Sequence, residues 1–221
     1  GIFAILTLVI LFIAKMKYPN PDRFESKGVS RGFKGSKAFI LYMIAIMLIA
    51  LGFIDYPILA YHMGTTSTID VLYVPLLYAL AMGVDAIAAL SFGYYFDRKG
   101  ILSLIISVLI SVFIAPVFFL VDGIWGTIVG VILWGIGMGA QESILKAVIS
   151  VMVSKEKRAT AYGVFYTVFG SAWFVGSVAI GWLYHFNIAY VVIFSMLMEL
   201  LAGIFLMIYR KRIVATPLKE T

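Results

Sequence analysis

Five ionisable side chains lie inside long apolar stretches of this sequence, namely Asp55, Asp85, Glu142, Lys146 and Glu199. A charged group near the centre of a bilayer costs about 2.5–3.5 kcal/mol even on mild insertion scales, so such groups are expected to face protein or a water-filled cavity. Glu142 and Lys146 are four residues apart, which places them on one face of a helix. The sequence suggests no role for Glu199.

We interpret Asp85, Glu142 and Lys146 as one buried network in the inner half of a cavity. A carboxylate in such a network would exchange its lysine partner for a proton as the cavity opens to either side, which is the coupling step of a proton-linked carrier. Asp55 and Gln141 complete the set predicted to serve proton coupling or to line a substrate cavity. Asp55 lies just before Pro57, whose missing N–H and ring predict a loosened helix there. The alternative is a simple ion pair between Glu142 and Lys146 near the membrane interface, with the ammonium group reaching the headgroups.

Enzyme chemistry has little support in these residues. The chain has no cysteine, no H-E-x-x-H metal motif and no G-x-x-x-x-G-K-[ST] phosphate loop. Its two histidines, His62 and His185, are assigned to connections between apolar stretches and have no clustered ligands. We therefore expect no enzyme activity, no resident metal and no cofactor.

Long apolar stretches must position the ionisable residues. Of 221 residues, 63% are hydrophobic and 13% are charged, whereas a soluble domain has about a quarter charged. Lipid offers the backbone no hydrogen-bond partners, so apolar runs of about 20 residues or more predict transmembrane α-helices. The sequence predicts an all-α membrane protein with six full transmembrane helices and one truncated helix. The stretches are Gly1–Ala14, Ala38–Tyr61, Val71–Phe96, Ile101–Val121, Ile124–Val153, Ala159–Tyr184 and Ile188–Tyr209.

Basic residues are confined to alternate connections between these stretches. Sixteen of the 17 lysines and arginines lie at 15–37, 98–99, 155–158 and 210–219, and the connections 62–70, 122–123 and 185–187 contain none. By the positive-inside rule, the basic side and the C-terminus are cytoplasmic in an integral protein of the plasma membrane. The net charge of +6 is attributed to anionic lipid at the inner face, and no nucleic-acid partner is expected.

One polar segment separates the first stretch from the others. Residues 15–37 hold seven basic residues, two prolines and three glycines, which predicts a cytoplasmic central linker. The expected organisation is a truncated transmembrane helix at 1–14, this linker, a six-helix transmembrane bundle at 38–209 and a cytoplasmic tail at 210–221. Because a twelve-helix protein cut just before its central loop would show this pattern, we expect the chain to be a fragment.

The connection between the second and third full spans reads GYYFDRKG, from Gly93 to Gly100. Gly93 would let a neighbouring helix approach closely, the Asp97 carboxylate suits the positive N-terminus of another helix, and Gly100 permits an abrupt turn. The segment resembles the G-x-x-x-D-R-x-G signature of the major facilitator superfamily. The resemblance implies a cytoplasmic gate formed by Gly93, Asp97, Arg98 and Gly100. The alternative is that Asp97 and Arg98 only cap two helix ends.

A second resemblance covers residues 134–184, which include WGIGMGAQES and KEKRATAYG. This segment is similar to uncharacterised prokaryotic permeases of the same superfamily. Four small residues, Gly163, Gly170, Ser177 and Gly181, lie close to one helical face. Small residues on one face predict tight packing against a neighbouring helix.

Taken together, the resemblance implies the C-terminal six-helix half of a transporter. It implies secondary active transport of a small solute by alternating access, proton-coupled and directed to efflux, with two halves rocking about a midplane site. The spans that hold Asp55, Asp85 and Glu142 would then line the central path. The expected partners are a small-molecule substrate, protons, the lipid bilayer and the missing N-terminal six-helix half.

The alternative function is a structural or channel-like six-helix membrane module that acts as a dimer. About six more helices encoded upstream would favour the carrier, whereas a natural start near Gly1 would favour the dimer. Apolar and aromatic residues predicted to line the path, including Tyr78, Trp134 and Tyr166, suit amphipathic solutes and sugars equally.

Overall fold

The computed structural model describes residues 2–17, 35–66 and 69–214. Within this part the chain is helical, with short 3-10 turns at Val71–Tyr73 and Lys155–Lys157. The α-helices are α1 (Ile2–Lys17), α2 (Lys37–Gly52), α3 (Tyr56–Thr66), α4 (Val74–Lys99), α5 (Ile101–Ser111), α6 (Ile114–Leu120), α7 (Gly123–Met152), α8 (Arg158–Phe186) and α9 (Ile188–Val214).

Six segments are long and apolar enough to cross a membrane: Lys37–Thr66, Val71–Lys99, Ile101–Leu120, Gly123–Met152, Lys155–Phe186 and Ile188–Ile213. They confirm the prediction of an all-α protein with six full spans. Helix α1, of 16 residues, is the short first helix. Residues 18–34 of the expected linker and 215–221 of the expected tail lie outside the described residues. Helix α9 continues to Val214, so the first residues of the expected tail are helical.

Two of the spans are broken, each just before a proline. The first is interrupted between α2 and α3, two residues before Pro57, and the other between α5 and α6, before Pro116. Proline has no N–H to donate to the carbonyl four residues earlier, and its ring clashes with that carbonyl. The first break was predicted from Pro57, whereas the second was not.

The core joins α2, α5, α7 and α9. It has one cluster near the basic end of the bundle, where Gly100 and Lys155 lie, and a second cluster near the opposite end. Within the first cluster, the buried Tyr42 hydroxyl donates a hydrogen bond of 2.9 Å to the Leu145 carbonyl. Because lipid is as apolar as these side chains, close van der Waals packing and such interhelical hydrogen bonds hold the four helices together.

Helices α4 and α8 lie at the surface of this core. In the most apolar part of each span, the share of buried residues is 11% for Val71–Lys99 and 22% for Lys155–Phe186. The corresponding share for Lys37–Thr66 is 61%. Both helices therefore present long apolar faces that no other described helix covers.

Candidate functional site

A cavity of about 120 Å³ lies between α7 and α8. Helix α7 contributes polar side chains to its wall, and α8 contributes aromatic ones. The lining consists of Met138, Gln141, Glu142, Leu145, Lys146, Phe165, Tyr166, Phe169 and Trp173. Three of the five residues predicted for a coupling or substrate cavity are thus brought to one place.

Gln141 is the most buried polar residue of this wall, with 2% of its surface exposed. Neither its amide nitrogen nor its amide oxygen has a hydrogen-bond partner in the described part of the chain. A buried polar group without a partner costs about 1–3 kcal/mol. Beside a cavity, the amide offers one donor group and one acceptor group to a ligand.

Glu142 and Lys146 are both exposed residues on the α7 side of the cavity. The Lys146 ammonium makes no ion pair with a described carboxylate, so the ion pair given as the alternative for these two residues is not formed here. The Lys146 backbone carbonyl instead accepts a hydrogen bond of 3.2 Å from the Tyr162 hydroxyl of α8.

Asp85 of α4 is half-buried, and its Oδ1 atom is buried without a hydrogen-bond partner among the described residues. The Asp85 carboxyl lies close enough to Glu142 for the two groups to interact electrostatically. Of the three residues of the predicted network, Asp85 and Glu142 thus lie within electrostatic range of each other across α4 and α7, and Lys146 forms no ion pair with either in the described part of the chain.

Two glycines of α7 explain why Asp85 lies so close to this helix. A Cβ atom at Gly139 would lie 2.2 Å from the Asp85 carbonyl oxygen, and one at Gly135 would lie 2.5 Å from the Ala81 carbonyl oxygen. The two helices therefore pack backbone to backbone, as small residues at helical spacing allow in membrane bundles. The sequence signal for this contact is the spacing of four residues between the two glycines in WGIGMGAQES. The close packing of α4 and α7 was not predicted from it.

Asp55 lies in the break between α2 and α3, where its carboxylate accepts a hydrogen bond from the Ser177 hydroxyl of α8. The same break releases the Ile54 carbonyl, which accepts a hydrogen bond of 2.7 Å from the Trp134 indole N–H. Ser177 is one helical turn beyond Trp173 of the cavity wall. The Asp55 carboxylate therefore lies near the end of the cavity that points away from Lys146.

An aromatic series connects the cavity with this break. Ring centroids are 5.6 Å apart for Phe165 and Phe169, 5.2 Å for Phe169 and Trp173, and 5.6 Å for Trp173 and Phe53. From Phe53 the series continues through Trp134, Tyr56 and Tyr78, at 6.2, 5.3 and 4.6 Å. Of the three rings predicted to line the path, Tyr166 lies in the cavity wall, and Trp134 and Tyr78 belong to the aromatic series.

The expected gate segment forms a tight turn between α4 and α5. Gly100 has φ +57° and ψ −136°, a conformation that L side chains rarely adopt, so glycine is required there as predicted. A Cβ atom at Gly93 would lie 3.0 Å from the Ser143 hydroxyl of α7, which confirms a close helix approach. The Arg98 guanidinium lies 4.3 Å from the Tyr94 ring centre, and the exposed Asp97 carboxylate makes no hydrogen bond or ion pair with another helix in the described part.

At its three glycines, the small face of α8 makes no tight packing within the described part of the chain. A Cβ atom at Gly163, Gly170 or Gly181 would meet no atom of the described residues within 4 Å. Close approach occurs at Gly176 instead, where a Cβ atom would lie 2.5 Å from the Leu51 carbonyl oxygen. The face of α8 that holds the three open glycines is turned away from α2.

Both histidines belong to helices, contrary to their assignment to connections. His62 lies in α3 and His185 in the last turn of α8. The Nδ1 atom of His62 and the Tyr184 hydroxyl form a hydrogen bond of 2.8 Å, which ties α3 to α8 at the end opposite the basic one.

Glu199 of α9 is a buried carboxyl group, 1% exposed, in the contact between α9 and α2. Neither of its carboxyl oxygens has a hydrogen-bond partner among the described residues. A charge in this position would be strongly destabilised, so the group is expected to be neutral in the folded bundle.

Six apolar spans packed around buried polar groups define an integral membrane protein. The family model of the Major Facilitator Superfamily matches residues 1–177 and, in a second match, residues 38–221. The chain belongs to that family.

The chain also has sequence relatives among longer proteins. The chain is 32% identical over 202 residues to an uncharacterised protein of Mycobacterium bovis and to uncharacterised proteins of two Mycobacterium tuberculosis strains. The match covers 88% of this chain and 49% of each relative, so the chain spans about half the length of the curated relatives. No solved structure matches the chain.

Proposed function

We propose that the chain is part of a secondary transporter that moves a small solute across the membrane by alternating access. Gln141 is the observation that carries the proposal, because its fully buried amide has no hydrogen-bond partner among the described residues and lines the cavity between α7 and α8. Such a group destabilises the fold unless a ligand supplies the missing hydrogen bonds. Membership of the Major Facilitator Superfamily supports the same function.

The complete carrier would contain a second set of helices against α4 and α8. The support is the low burial of these two spans, 11% and 22%, and the relatives, which are about twice as long as the chain. Lipid alone would also cover such faces. The open glycines of α8, however, suit a helix that approaches closely. The N-terminal six-helix half is the partner that we propose for this surface.

Proton coupling would use Asp85 and Glu142. The two carboxyl groups interact across α4 and α7, and one oxygen of Asp85 is buried without a partner. A proton taken up by either carboxyl removes one of two like charges, and its release restores the repulsion. A cavity that opens alternately to the two sides would thereby carry protons with the solute or against it, with efflux as the direction implied by the family resemblance.

The experiment uses the complete protein. A growth and toxicity screen of the full-length gene against a panel of compounds first identifies a transported solute, which is then followed in proteoliposomes with an imposed pH gradient. Asp85→Asn should abolish proton-coupled flux and leave membrane insertion intact. Asp122→Asn is the matched control, since the Asp122 side chain forms no cap hydrogen bond at the start of α7. An unchanged pH dependence in Asp85→Asn would remove Asp85 from the mechanism.

A further inference from the structure

The charges around the cavity between α7 and α8 are mostly negative. Glu142 and Lys146 line the cavity, the Asp85 carboxyl on the α4 side lies within electrostatic range of Glu142, and the Asp55 carboxylate lies beyond Trp173 at the break between α2 and α3. Lys146 lies four residues beyond Glu142 on α7, a rise of about 6 Å toward the basic end of the bundle. No described carboxylate pairs with the ammonium group, so Lys146 does not neutralise Glu142 by direct contact.

The α8 wall of the cavity, opposite Glu142 on α7, is aromatic. Tyr166, Phe169 and Trp173 line the cavity, and Trp173 contacts Phe53 at the break between α2 and α3. An aromatic face attracts a cation through its quadrupole and also stacks on flat apolar groups. The two walls therefore favour the same kind of ligand, one with positive charge and a flat apolar part.

Gln141 is an independent sign that a ligand enters this cavity. Its side chain is 98% buried, given a relative exposure of 2%, and both its amide atoms are unpartnered among the described residues. The polar side chains of the lining are otherwise Glu142, Lys146 and Tyr166. A sugar would need many more hydrogen-bonding groups along the walls, and an anion would find one basic group there.

We propose that the cavity binds an organic cation with a flat apolar portion. The positive charge lies between Glu142 and Asp85, the apolar portion stacks on Phe169 and Trp173, and the Gln141 amide bonds a polar atom of the ligand. This substrate class rests on the proposed transport function, and it names the solute that the carrier moves.

The test compares three molecules of nearly the same shape: the cation methyl-phenylpyridinium, the neutral phenylpyridine and the anion biphenylcarboxylate. Binding to the complete protein in lipid nanodiscs is measured by equilibrium dialysis, with empty nanodiscs subtracted. The cation should bind about tenfold tighter than the neutral molecule or more, and Glu142→Gln should weaken cation binding by about tenfold, as expected for one lost charge contact in a partly buried site. Glu156→Gln is the matched control, since Glu156 is exposed and lies outside the cavity lining.

Trp173→Leu provides a second variant in case Glu142→Gln fails to fold. It should weaken cation binding by about threefold through the lost aromatic face and leave the charges unchanged. Tighter binding of the anion or the neutral molecule, or cation binding that neither variant weakens, would overturn the proposal. Because dialysis needs no flux, binding without transport would count against the carrier function alone. Transport of another solute without cation binding would count against the substrate class alone.

Discussion

The two longest helices, α7 and α8, both carry glycines at helical spacing, yet these glycines have opposite surroundings. On α7, a Cβ atom at Gly139 would lie 2.2 Å from the Asp85 carbonyl oxygen of α4. On α8, a Cβ atom at Gly163 or Gly170 would meet no described atom within 4 Å. The α7 glycines therefore serve packing inside this bundle, and the open α8 glycines do not.

The difference teaches that a row of small residues shows how closely a helix face can be approached, and not which helix approaches it. On α7 the approaching helix is α4, and the contact carries Asp85 to Glu142 at the cavity. On α8 the open face is the surface for which we propose the second half of the transporter. Replacing these glycines by alanine tests the difference between the two helices, because alanine adds only a Cβ atom to glycine.

Gly139→Ala should have the largest effect on stability. Its Cβ atom would overlap the Asp85 carbonyl oxygen at 2.2 Å and lie 2.9 Å from the Ala89 nitrogen, and these backbone atoms cannot rotate away. Separating α4 from α7 should lower the free energy of unfolding by about 3 kcal/mol, the upper range for overpacking. Thermal unfolding of the purified complete protein in detergent, followed by tryptophan fluorescence, measures the loss. A wild-type melting temperature would contradict the contact between α4 and α7.

Gly100→Ala should have the second largest effect, through the backbone alone. No described atom lies within 4 Å of the added Cβ, but φ is +57°, where an L residue costs about 1–2 kcal/mol. The same unfolding measurement applies. Gly64→Ala is the matched control, because Gly64 is helical in α3 and its Cβ position is also open. That control should gain up to about 1 kcal/mol from helix propensity, so equal losses in both variants would refute the role assigned to Gly100.

Gly93→Leu should have an intermediate effect on stability and a larger one on transport. The Cβ atom would lie 3.0 Å from the Ser143 hydroxyl, a side chain that can rotate, so we expect a loss of about 1 kcal/mol. The longer side chain should also obstruct helix approach at the proposed gate and reduce flux of the transported solute in proteoliposomes. Wild-type flux would show that the family signature misled us about this turn.

These cases show what the sequence could predict. Apolar length predicted all six spans, because lipid leaves the backbone no alternative to the helix. Gly100 and the break before Pro57 were predicted since each depends on the local backbone of one residue. The break before Pro116 depends on the same property of proline, so the sequence also allowed this break to be predicted.

Contacts between distant helices were not predictable in the same way. The ion pair between Glu142 and Lys146, the alternative interpretation of their spacing, is absent among the described residues, because spacing on one helix does not decide where two long side chains turn. The lack of partners around Gln141 and the burial of Glu199 depend on which helices pack together. The three-dimensional neighbours of a residue, and not its own type, decide these features.

Gly170→Ala should have the smallest effect on stability and gives the most direct view of the open α8 face. No described atom lies within 4 Å of the added Cβ, so packing inside this bundle predicts no loss, and we expect only a gain of up to about 1 kcal/mol from helix propensity, as at Gly64. Gly170→Leu in the complete protein should nevertheless lower solute flux severalfold, because we propose that the second half of the transporter moves against this face. Ile204→Phe, on an exposed part of α9 away from α4 and α8, serves as the control for a larger side chain toward lipid. If Gly170→Leu transports at the wild-type rate, the open glycines face lipid, and the surface for the second half must be sought on α4.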